Sequence, residues 1–385
     1  MGNILSESQK CHKNLLSKHM KTKTYLITGG AGFIGANFVK YIISKYKTNV
    51  KLIVLDRLTY AGNLKTLENE LDRIEFIKGD ICDKELVSKI FLKNNIDYLI
   101  NFAAESHVDR SIENPQLFLQ TNILGTQNLL EVSKKFWERE EGLYKEGVKF
   151  LQISTDEVYG SLGETGYFTE TTPIAPRSPY SASKASADMV VRAYVETYKF
   201  PANITRSSNN YGPYQFPEKL IPLIIKNILE GKSLPIYGDG KNIRDWIYVE
   251  DHCKAIDLVL SKGKLGEVYN IGGCDEKQNI EIVKVVIDTI KDLIKKNSEY
   301  QSILKTDLSN ISYNLMEYVK DRKGHDKRYA VDSTKIKNEL GWYPKTKFGD
   351  GIIKTIKWYF ENQDWVKSIV SEDYQEYYKR MYEEK

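Results

Sequence analysis

Residues 25–35 read Tyr25-Leu-Ile-Thr-Gly29-Gly-Ala-Gly32-Phe-Ile-Gly35, an apolar run followed at once by a glycine-rich turn. The next residues carry apolar side chains at helical spacing, so the pattern predicts a strand, a tight turn and a helix in succession. Glycines let such a turn approach a pyrophosphate closely, and the amides at the start of the helix face its charge. The stretch therefore predicts the first unit of a dinucleotide-binding fold.

An acidic residue follows the second predicted strand, at the position where dinucleotide-binding folds hold a ribose. The apolar run 51–55 ends in Asp56, about 20 residues past the last glycine of the turn. A carboxylate there binds ribose hydroxyls and repels a 2′-phosphate, which favours NAD over NADP, although Arg57 is of the type that can accommodate such a phosphate. A third predicted strand ends in Asp80 and Ile81, which are suitably placed to flank the adenine.

Strands alternate with helices throughout residues 24–200, which predicts an α/β fold with a doubly wound parallel sheet of the Rossmann type. A smaller α/β C-terminal substrate domain completes the predicted architecture. The predicted divisions are a flexible extension at 1–20, an NAD-binding domain at 21–205 that is completed by about 241–272, and a substrate domain at 206–240 and 273–385.

The composition is ordinary for a globular protein with little net charge. The 385 residues include 56 basic and 52 acidic side chains, and the formal charge of +4 is too small and too dispersed to indicate nucleic-acid binding. The four cysteines form no CxxC or Cys/His spacing, so no metal site is predicted and a reducing compartment is indicated. No apolar run is long enough to cross a bilayer and no signal peptide is visible, which predicts a cytoplasmic protein.

The first residues carry one short pattern associated with membranes. Met1-Gly2-Asn3-Ile4-Leu5-Ser6 fits the acceptor pattern for N-myristoylation, and Cys11 with nearby lysines would supply a second signal. Because short patterns often match by chance, a disordered tail is preferred. Membrane contact is predicted only if Gly2 is acylated.

Two stretches carry the residues of a candidate active site. Thr155, Asp156 and Glu157 follow an apolar run, at the carboxyl end of a predicted strand, where open α/β sheets bind their ligands. Tyr180 and Lys184 lie four residues apart in a segment with helical character, so they share a helix face. An ammonium near a phenol stabilises the phenolate, and we expect Lys184 to lower the pKa of Tyr180 towards working pH. Such a pair is suited to removing a proton from an alcohol.

Three polar features outside these stretches allow more than one interpretation. His107 is interpreted as structural rather than catalytic, because the spacing supplies it with no orienting partner. Arg244 lies beside aromatic residues, which suits a phosphate as well as a surface ion pair. Residues 321–329 concentrate hydrogen-bond donors that fit either a diphosphate clamp or a solvated run of charges.

Taken in order, the motifs resemble the extended short-chain dehydrogenase/reductases that act on nucleotide sugars, and within them the dTDP-glucose 4,6-dehydratases. The resemblance runs from about Lys23 to at least Tyr359 and rests on TGGAGFIG, LDRLTYAGNL, GDI, FAAESHVDRS, STDEVYG, YSASK, SNNYGPYQFPEKLIP, YGDGKNIRDWIYVEDH and DRKGHDKRYAVD. Its most specific feature is the acid pair after Thr155, because relatives that epimerise C4 of a nucleotide sugar lack it.

The resemblance implies a reaction in three stages. Tyr180 removes the proton of the sugar C4 hydroxyl, which Thr155 orients, while NAD accepts the C4 hydride. Glu157 then abstracts the C5 proton, and a protonated Asp156 donates to the departing C6 hydroxyl. The hydride returns to C6 and C5 is reprotonated, which leaves a 4-keto-6-deoxy sugar, the usual precursor of rhamnose and other deoxysugars. Asp156 needs a raised pKa for this role, which burial and an acidic neighbour supply.

The same resemblance implies two sets of binding residues and a homodimer. NAD contacts are implied for Gly29, Gly32, Phe33, Ile34, Gly35, Asp56, Asp80, Ile81, Tyr180, Lys184 and Asn210. Contacts with the nucleotide sugar are implied for Ser106, Thr155, Asn209, Lys219, Leu220, Tyr237, Arg244, Asn279, Arg322 and His325. The dimer is expected to form through two predicted amphipathic helices, residues 117–136 and 181–198, whose apolar faces would otherwise cover the sheet.

Four other functions remain open at this point. A UDP-glucose 4,6-dehydratase shares the same motifs, and nothing in the sequence separates thymidine from uridine. The acid pair Asp156 and Glu157 speaks against a UDP-sugar 4-epimerase, whose chemistry does not need it. A UDP-glucuronate decarboxylase would need a basic group near the reacting carbons, and residues 154–160 contain none. A non-catalytic NAD-binding protein would have no use for a complete set of acids and bases.

Overall fold

Seven parallel strands form the central sheet of the computed structural model, which describes residues 22–321 and 324–369. Most strand residues are buried, in agreement with apolar runs such as Leu52-Ile-Val-Leu55, because helices cover both faces of the sheet. The predicted doubly wound parallel sheet is confirmed. The spatial order of the strands is Val268–Ile271, Ala202–Ser207, Lys149–Thr155, Tyr98–Asn101, Lys23–Thr28, Val50–Asp56 and Ile74–Lys78.

The strand order reverses between Lys23–Thr28 and Tyr98–Asn101. The first three strands lie on one side of this point and the later strands on the other. In open α/β sheets, the crevice beyond the carboxyl ends of the strands at such a switch point holds the ligand. The topology therefore places the glycine-rich turn after Thr28 and the acids after Thr155 at one edge of the sheet.

Helices that connect the strands pack on both faces of the sheet. Phe33–Tyr46 and Val249–Lys262 contribute buried side chains to one face, and Lys84–Lys93 and Pro179–Tyr198 contribute to the other. The helix predicted at 181–198 begins two residues earlier, because the Ser178 hydroxyl accepts a hydrogen bond from the Ser181 amide at 3.0 Å. The helix predicted at 117–136 is part of a longer helical run formed by Pro115–Phe118, Leu119–Gly125 and Thr126–Trp137.

A second apolar core lies within the C-terminal half of the chain. It is built mainly by the helices Leu220–Glu230, Asn279–Lys296, Phe348–Glu361 and Gln363–Ile369. The strand Ile243–Tyr248 passes beside it and pairs with three of the short strands. The domain divisions stay a prediction. The short strands of this region are Asn209–Tyr211, Leu234–Tyr237, Ile243–Tyr248, Glu276–Gln278, Met316–Val319 and Arg328–Tyr329.

Short elements complete the structure. Two helices are Val108–Glu113 and Thr334–Leu340, and a small hairpin pairs Glu138–Glu140 with Leu143–Tyr144. The 3₁₀ segments are Leu64–Arg73, Asp156–Tyr159, Ser298–Ile303, Leu308–Asn310 and Tyr313–Leu315.

Several predictions fall outside the part of the chain that the structure describes. These are the extension at 1–20 with its myristoylation pattern and Cys11, and the sugar-nucleotide contact Arg322. Within residues 22–321 and 324–369, no helix is long and apolar enough to cross a bilayer. The same residues include no group of three or more His, Cys, Asp or Glu side chains placed to hold a metal ion.

Candidate active site

The glycine-rich turn leaves no room for larger residues. Gly29 has a φ of +68°, and a Cβ added there would lie 2.5 Å from the Ala103 amide nitrogen. A Cβ added to Gly35 would lie 2.3 Å from the Gly29 carbonyl oxygen. Gly32 is the N-cap of the helix Phe33–Tyr46, so no side chain caps the first amides of this helix. The turn therefore fits the pyrophosphate of a dinucleotide.

Asp56 is buried at the end of its strand and is held from two sides. Its Oδ2 accepts a hydrogen bond from the Ala31 amide at 2.9 Å, and its Oδ1 accepts one from the Leu58 amide at 2.8 Å. Arg57, which raised the possibility of a 2′-phosphate, forms an ion pair with Asp80 at 3.1 Å. The two carboxylates make this end of the site suited to ribose hydroxyls rather than to a phosphate.

One cavity contains every residue for which NAD contacts were predicted, together with Thr155, Asp156 and Glu157. The turn, the buried Asp56 and the pair Tyr180 and Lys184 thus line one continuous space, which fits an extended dinucleotide. The roles of these residues remain predictions. Sequence reasoning assigned no role to five further lining residues, although the first four lie in stretches that carry the resemblance, namely Thr59, Gly62, Phe102, Glu105 and Thr121.

The strand Lys149–Thr155 leads directly into the 3₁₀ segment Asp156–Tyr159, which carries both acids. The Thr155 hydroxyl caps this segment by accepting a hydrogen bond from the Glu157 amide at 3.3 Å. Asp156 is only 1% exposed, whereas Glu157 is half-buried. The local fold therefore buries Asp156 at the wall of the cavity and leaves Glu157 more exposed beside it.

Burial raises the pKa of Asp156 well above the ordinary range of a carboxyl, and the charges of Glu157 and Asp245 raise it further. Arg244 and the Thr155 hydroxyl act in the opposite direction. Asp156 Oδ2 is buried and has no hydrogen-bond partner among the described residues. The predicted rise in the pKa of Asp156 is confirmed, and Oδ2 is the oxygen free to carry a proton.

Tyr180 and Lys184 lie one turn apart on the helix Pro179–Tyr198, and both are buried. Lys184 Nζ donates a hydrogen bond to the Ile153 carbonyl oxygen at 2.7 Å, which ties the helix to the end of the strand. Burial raises the pKa of Tyr180, as do Glu157 and Asp156, while burial lowers the pKa of Lys184 to about 8. The expectation that Lys184 lowers the pKa of Tyr180 is wrong for the protein alone, because desolvation dominates.

A buried network supports the helix behind Lys184. Asp188 lies one further turn along, and its Oδ2 accepts a hydrogen bond from Arg206 Nε at 2.9 Å. Arg206 also donates to the Tyr159 hydroxyl at 2.9 Å, and that hydroxyl donates to Asn270 Oδ1 at 2.8 Å. The charge of Asp188 opposes the fall in the pKa of Lys184. Asp188 therefore favours a charged ammonium at this position.

A second cavity adjoins the first, and five residues line both, namely Ser106, Glu157, Asn209, Glu218 and Lys219. Of the predicted sugar-nucleotide contacts, Thr155 lines the first cavity and not the second. The others that line the second cavity are Leu220, Tyr237, Arg244, Asn279 and His325. Sequence reasoning assigned no contact to four further lining residues, of which the last two lie in stretches that it did single out, namely Leu223, Pro235, Trp246 and Tyr329.

Arg244 is a buried cation of the second cavity, so the alternative of a surface ion pair is wrong. It is 7% exposed, its guanidinium lies 4.3 Å from the centre of the Tyr329 ring, and it donates to the Asp326 carbonyl oxygen at 2.9 Å. Asp326 and Arg328 are also buried, so residues 321–329 are not simply a solvated run of charges. A desolvated guanidinium beside an aromatic ring in a cavity is suited to binding a phosphate.

His107 has a partner that its spacing did not suggest. The ring is buried, and its Nδ1 lies 3.9 Å from Asp109 Oδ2. The imidazole also lines the second cavity. The prediction of a structural role rested on the lack of an orienting partner, and this acidic neighbour removes that reason, so the role of His107 stays a prediction.

Asp156→Asn is expected to raise the thermal stability of the protein at neutral pH. Because the folded pKa of Asp156 lies above its unfolded value, the folded state keeps a proton that the unfolded state releases, and stability falls as pH rises above about 4. The amide of Asn has the same shape and does not ionise, so folding of the variant requires no uptake of a proton at this position. In thermal scans, the two proteins should melt alike near the unfolded pKa, and the variant should melt at least about 2 °C higher at neutral pH. A lower melting temperature for the variant would contradict a protonated buried carboxyl.

Comparisons with known sequences agree on one family. The family model described as GDP-mannose 4,6-dehydratase matches residues 26–355. A dTDP-glucose 4,6-dehydratase from Xanthomonas campestris pv. campestris (strain B100) is 51% identical over 354 residues, which are 91% of this chain and 97% of that protein. The resemblance inferred from the motifs is confirmed.

Solved structures agree with the sequence comparisons. The dTDP-glucose 4,6-dehydratase from Bacillus anthracis in complex with NAD is 48% identical to this chain, with a TM-score of 0.78. The match covers 90% of this chain and 99% of that one. The dTDP-glucose 4,6-dehydratase from Streptomyces venezuelae with NAD bound is 43% identical, with a TM-score of 0.78. That match also covers 90% of this chain and 99% of the other. Since the family model and the relatives agree over most of its length, this chain belongs to the GDP-mannose 4,6-dehydratase family.

Proposed function

We propose that this chain is a hydro-lyase that converts dTDP-glucose to dTDP-4-keto-6-deoxyglucose with NAD as its cofactor. The observation that carries the proposal is the unequal environment of two adjacent acids. Asp156 is buried with a raised pKa, whereas Glu157 is half-buried where the two cavities adjoin. Neighbouring acids in such different environments are suited to separate roles as acid and base. The relatives named above support dTDP-glucose as the substrate.

The residues of the first cavity suit NAD. The glycine-rich turn would face the pyrophosphate, Asp56 would accept the adenosine ribose hydroxyls, and Asp80 and Ile81 would flank the adenine. When bound, NAD supplies a hydride acceptor that takes a hydride from the sugar and returns it to the same sugar.

Tyr180 is the proposed base for the C4 hydroxyl of the sugar. Its phenol is protonated in the protein alone, since burial raises its pKa, and a positive charge bound beside it would favour the phenolate. Lys184 supplies one such charge when protonated, and its bond to the Ile153 carbonyl fixes the position of the ammonium. The hydroxyl of Thr155 orients the oxygen from which the proton is removed.

Glu157 and Asp156 are the proposed base and acid for the loss of water. A ketone at C4 acidifies the C5 hydrogen, which Glu157 takes as a proton, and C5 is reprotonated when the hydride returns to C6. Asp156 gives its proton to the C6 hydroxyl, which leaves as water. The carboxylate that remains is favoured by Arg244, whose charge lowers the pKa of Asp156. Arg244 thus offsets part of the rise that burial, Glu157 and Asp245 cause in the pKa of Asp156.

The second cavity is the proposed site of the dTDP group. Arg244 and His325 would bind the diphosphate, and Arg322 is proposed to act with them. Lys219 Nζ donates to the Ser106 carbonyl oxygen at 3.0 Å and lies where the cavities adjoin, so it is placed between nucleotide and sugar. Tyr237, Leu220 and Asn279 complete the proposed contacts.

A parallel assay of the purified protein with dTDP-glucose and UDP-glucose tests the proposal. The expected product in both cases is the 4-keto-6-deoxy sugar, followed by its absorbance in alkali and by a mass loss of one water. dTDP-glucose has a base methyl that UDP-glucose lacks, and it lacks the ribose 2′-hydroxyl of UDP-glucose. Since a difference of one methyl can already discriminate by about 10-fold or more, we expect kcat/KM to favour dTDP-glucose by at least about 10-fold. Consumption of UDP-galactose or UDP-glucuronate with neither glucose substrate used would instead favour an epimerase or a decarboxylase.

We further propose a homodimer formed through the helical run that ends at Trp137 and the helix Pro179–Tyr198. Leu119, Leu124 and Met189 are exposed apolar residues of these elements, and their burial between two copies would favour association. Sedimentation of the purified protein should give twice the mass of the chain, and Leu124→Glu should shift it towards the monomer. A wild-type protein that sediments as a monomer at micromolar concentration would contradict the proposal.

A cytoplasmic location and a role in deoxysugar synthesis, including that of rhamnose, complete the proposed function. Three cysteines of the described residues, Cys82, Cys253 and Cys274, are free thiols, which supports a reducing compartment. Thiol titration of protein from gently lysed cells would test the location, because disulfide-bonded cysteines would contradict it.

A further inference from the structure

The loop of residues 57–62 lines the first cavity, follows Asp56 directly in the chain and packs its last residue back against Asp56. Arg57, Thr59 and Gly62 line the cavity, and a Cβ on Gly62 would lie 2.8 Å from Asp56 Oδ1. Leu58 has a φ of +56°, which is unfavourable for a residue with a side chain. A conformation of this kind persists only when the surroundings hold it. The loop therefore depends on its anchors.

The end of this loop is anchored on two sides. The Asn63 amide donates to the Ala31 carbonyl oxygen of the glycine-rich turn at 3.3 Å. Three residues further on, Thr66 is 2% exposed, and its Oγ1 accepts a hydrogen bond at 3.0 Å from the indole Nε1 of Trp365. The Lys65 ammonium donates to the Asp364 carbonyl oxygen at 3.3 Å. The helix Gln363–Ile369 thus holds the chain where it leaves the loop.

That helix is itself fixed to the C-terminal core. The Trp365 ring lies 5.1 Å from the ring of Trp358 and 5.5 Å from that of Tyr214. Tyr60, within the loop, packs edge-to-face on Phe216 at 5.6 Å, so the loop also contacts this core directly. The loop over the proposed dinucleotide site is therefore held by residues far along the chain.

We infer that the helix Gln363–Ile369, through the hydrogen bond of Trp365 to Thr66, holds the loop 57–62 closed over the dinucleotide and slows its release. The inference rests on the proposed function, in which this cavity binds NAD. That reaction needs slow release, because the dinucleotide that takes the hydride must still be bound when the hydride is returned. Trp365 and Thr66 are positioning residues, since neither lines the cavity.

Two conservative variants test the inference. Trp365→Phe keeps an aromatic ring and removes the donor, and Thr66→Val keeps the shape and removes the acceptor. Because a typical buried hydrogen bond is involved, we expect each to speed the release of NAD from the holoenzyme about fivefold. The double variant should release NAD no faster than the single variants, because both remove the same bond. Release is measured by trapping free NAD with an excess of an NAD-consuming enzyme.

Thr355→Val is the matched control. Thr355 is fully buried and donates to the Gly351 carbonyl oxygen at 2.8 Å within the helix Phe348–Glu361. Its replacement removes a buried hydroxyl of the same core without touching the loop, so NAD release should equal that of the wild type. Unchanged release from the first two variants would overturn the inference, as would equal acceleration by the control. A wild-type protein that binds no NAD would overturn the proposed cofactor itself, which separates the two failures.

Discussion

Tyr180→Phe is expected to reduce the turnover of dTDP-glucose by about 10²- to 10⁴-fold and to leave NAD binding intact. The phenol is the proposed base for the C4 hydroxyl, and without it the proton has no acceptor at that position. Phe keeps the ring, whose centre lies 6.3 Å from that of Phe118, so packing of the helix Pro179–Tyr198 is preserved. Product formation gives the rate, and the ratio of bound NAD to protein gives the binding.

Tyr159→Phe is the matched control for that experiment. Tyr159 is a buried tyrosine close to the site, but its hydroxyl belongs to the Arg206 and Asn270 network and lines neither cavity. Its removal should lower the melting temperature, since buried partners lose a hydrogen bond, while turnover stays within a few-fold of the wild type. Equal losses of turnover in both variants would contradict the role of the Tyr180 phenol as the base for the C4 hydroxyl.

The parts of the site that the sequence predicted correctly are local ones. The glycine-rich turn, the buried Asp56 and the acids after Thr155 each follow a strand within a few residues, so the parallel sheet alone brings them to one edge. The raised pKa of Asp156 was likewise predictable, because an adjacent acid is visible in the sequence and burial was expected at a strand end. Local pattern and sheet topology were sufficient for these features.

The rest depends on contacts between distant residues. Arg244 meets Tyr329 only because the strand Ile243–Tyr248 pairs with Arg328–Tyr329, and Trp365 bonds to Thr66 across 299 positions. Desolvation of Tyr180 depends on everything that packs around the helix, so the sign of its pKa shift could not be read from the nearby Lys184. Neither pairing nor burial has a signal in a single stretch of sequence.

Replacing the two acids should block the loss of water at two different points. Glu157→Gln should remove the base for the C5 hydrogen, whereas Asp156→Asn should remove the acid for the C6 hydroxyl. Because each supplies a proton transfer, we expect product formation to fall by about 10²- to 10⁴-fold in both variants. Oxidation at C4 needs neither acid, so the near-ultraviolet absorbance of reduced dinucleotide should build up on mixing with dTDP-glucose.

Hydrogen exchange at C5 separates the two roles. In deuterated water, Asp156→Asn should still exchange the C5 hydrogen of the bound sugar, because Glu157 remains, whereas Glu157→Gln should not. Glu170→Gln is the matched control, since Glu170 is a partly buried acid that lines neither cavity and whose Oε1 accepts the Asn270 amide at 2.8 Å.

Asp156→Asn links this experiment to stability, because the same change is expected to raise the melting temperature at neutral pH and to lower turnover. A buried carboxyl that must hold a proton costs stability and is retained where the chemistry needs an acid. If C5 exchange were lost in both variants or kept in both, the acids would not divide the roles as their unequal burial indicates. The unequal burial of Asp156 and Glu157 would then not reflect separate roles as acid and base.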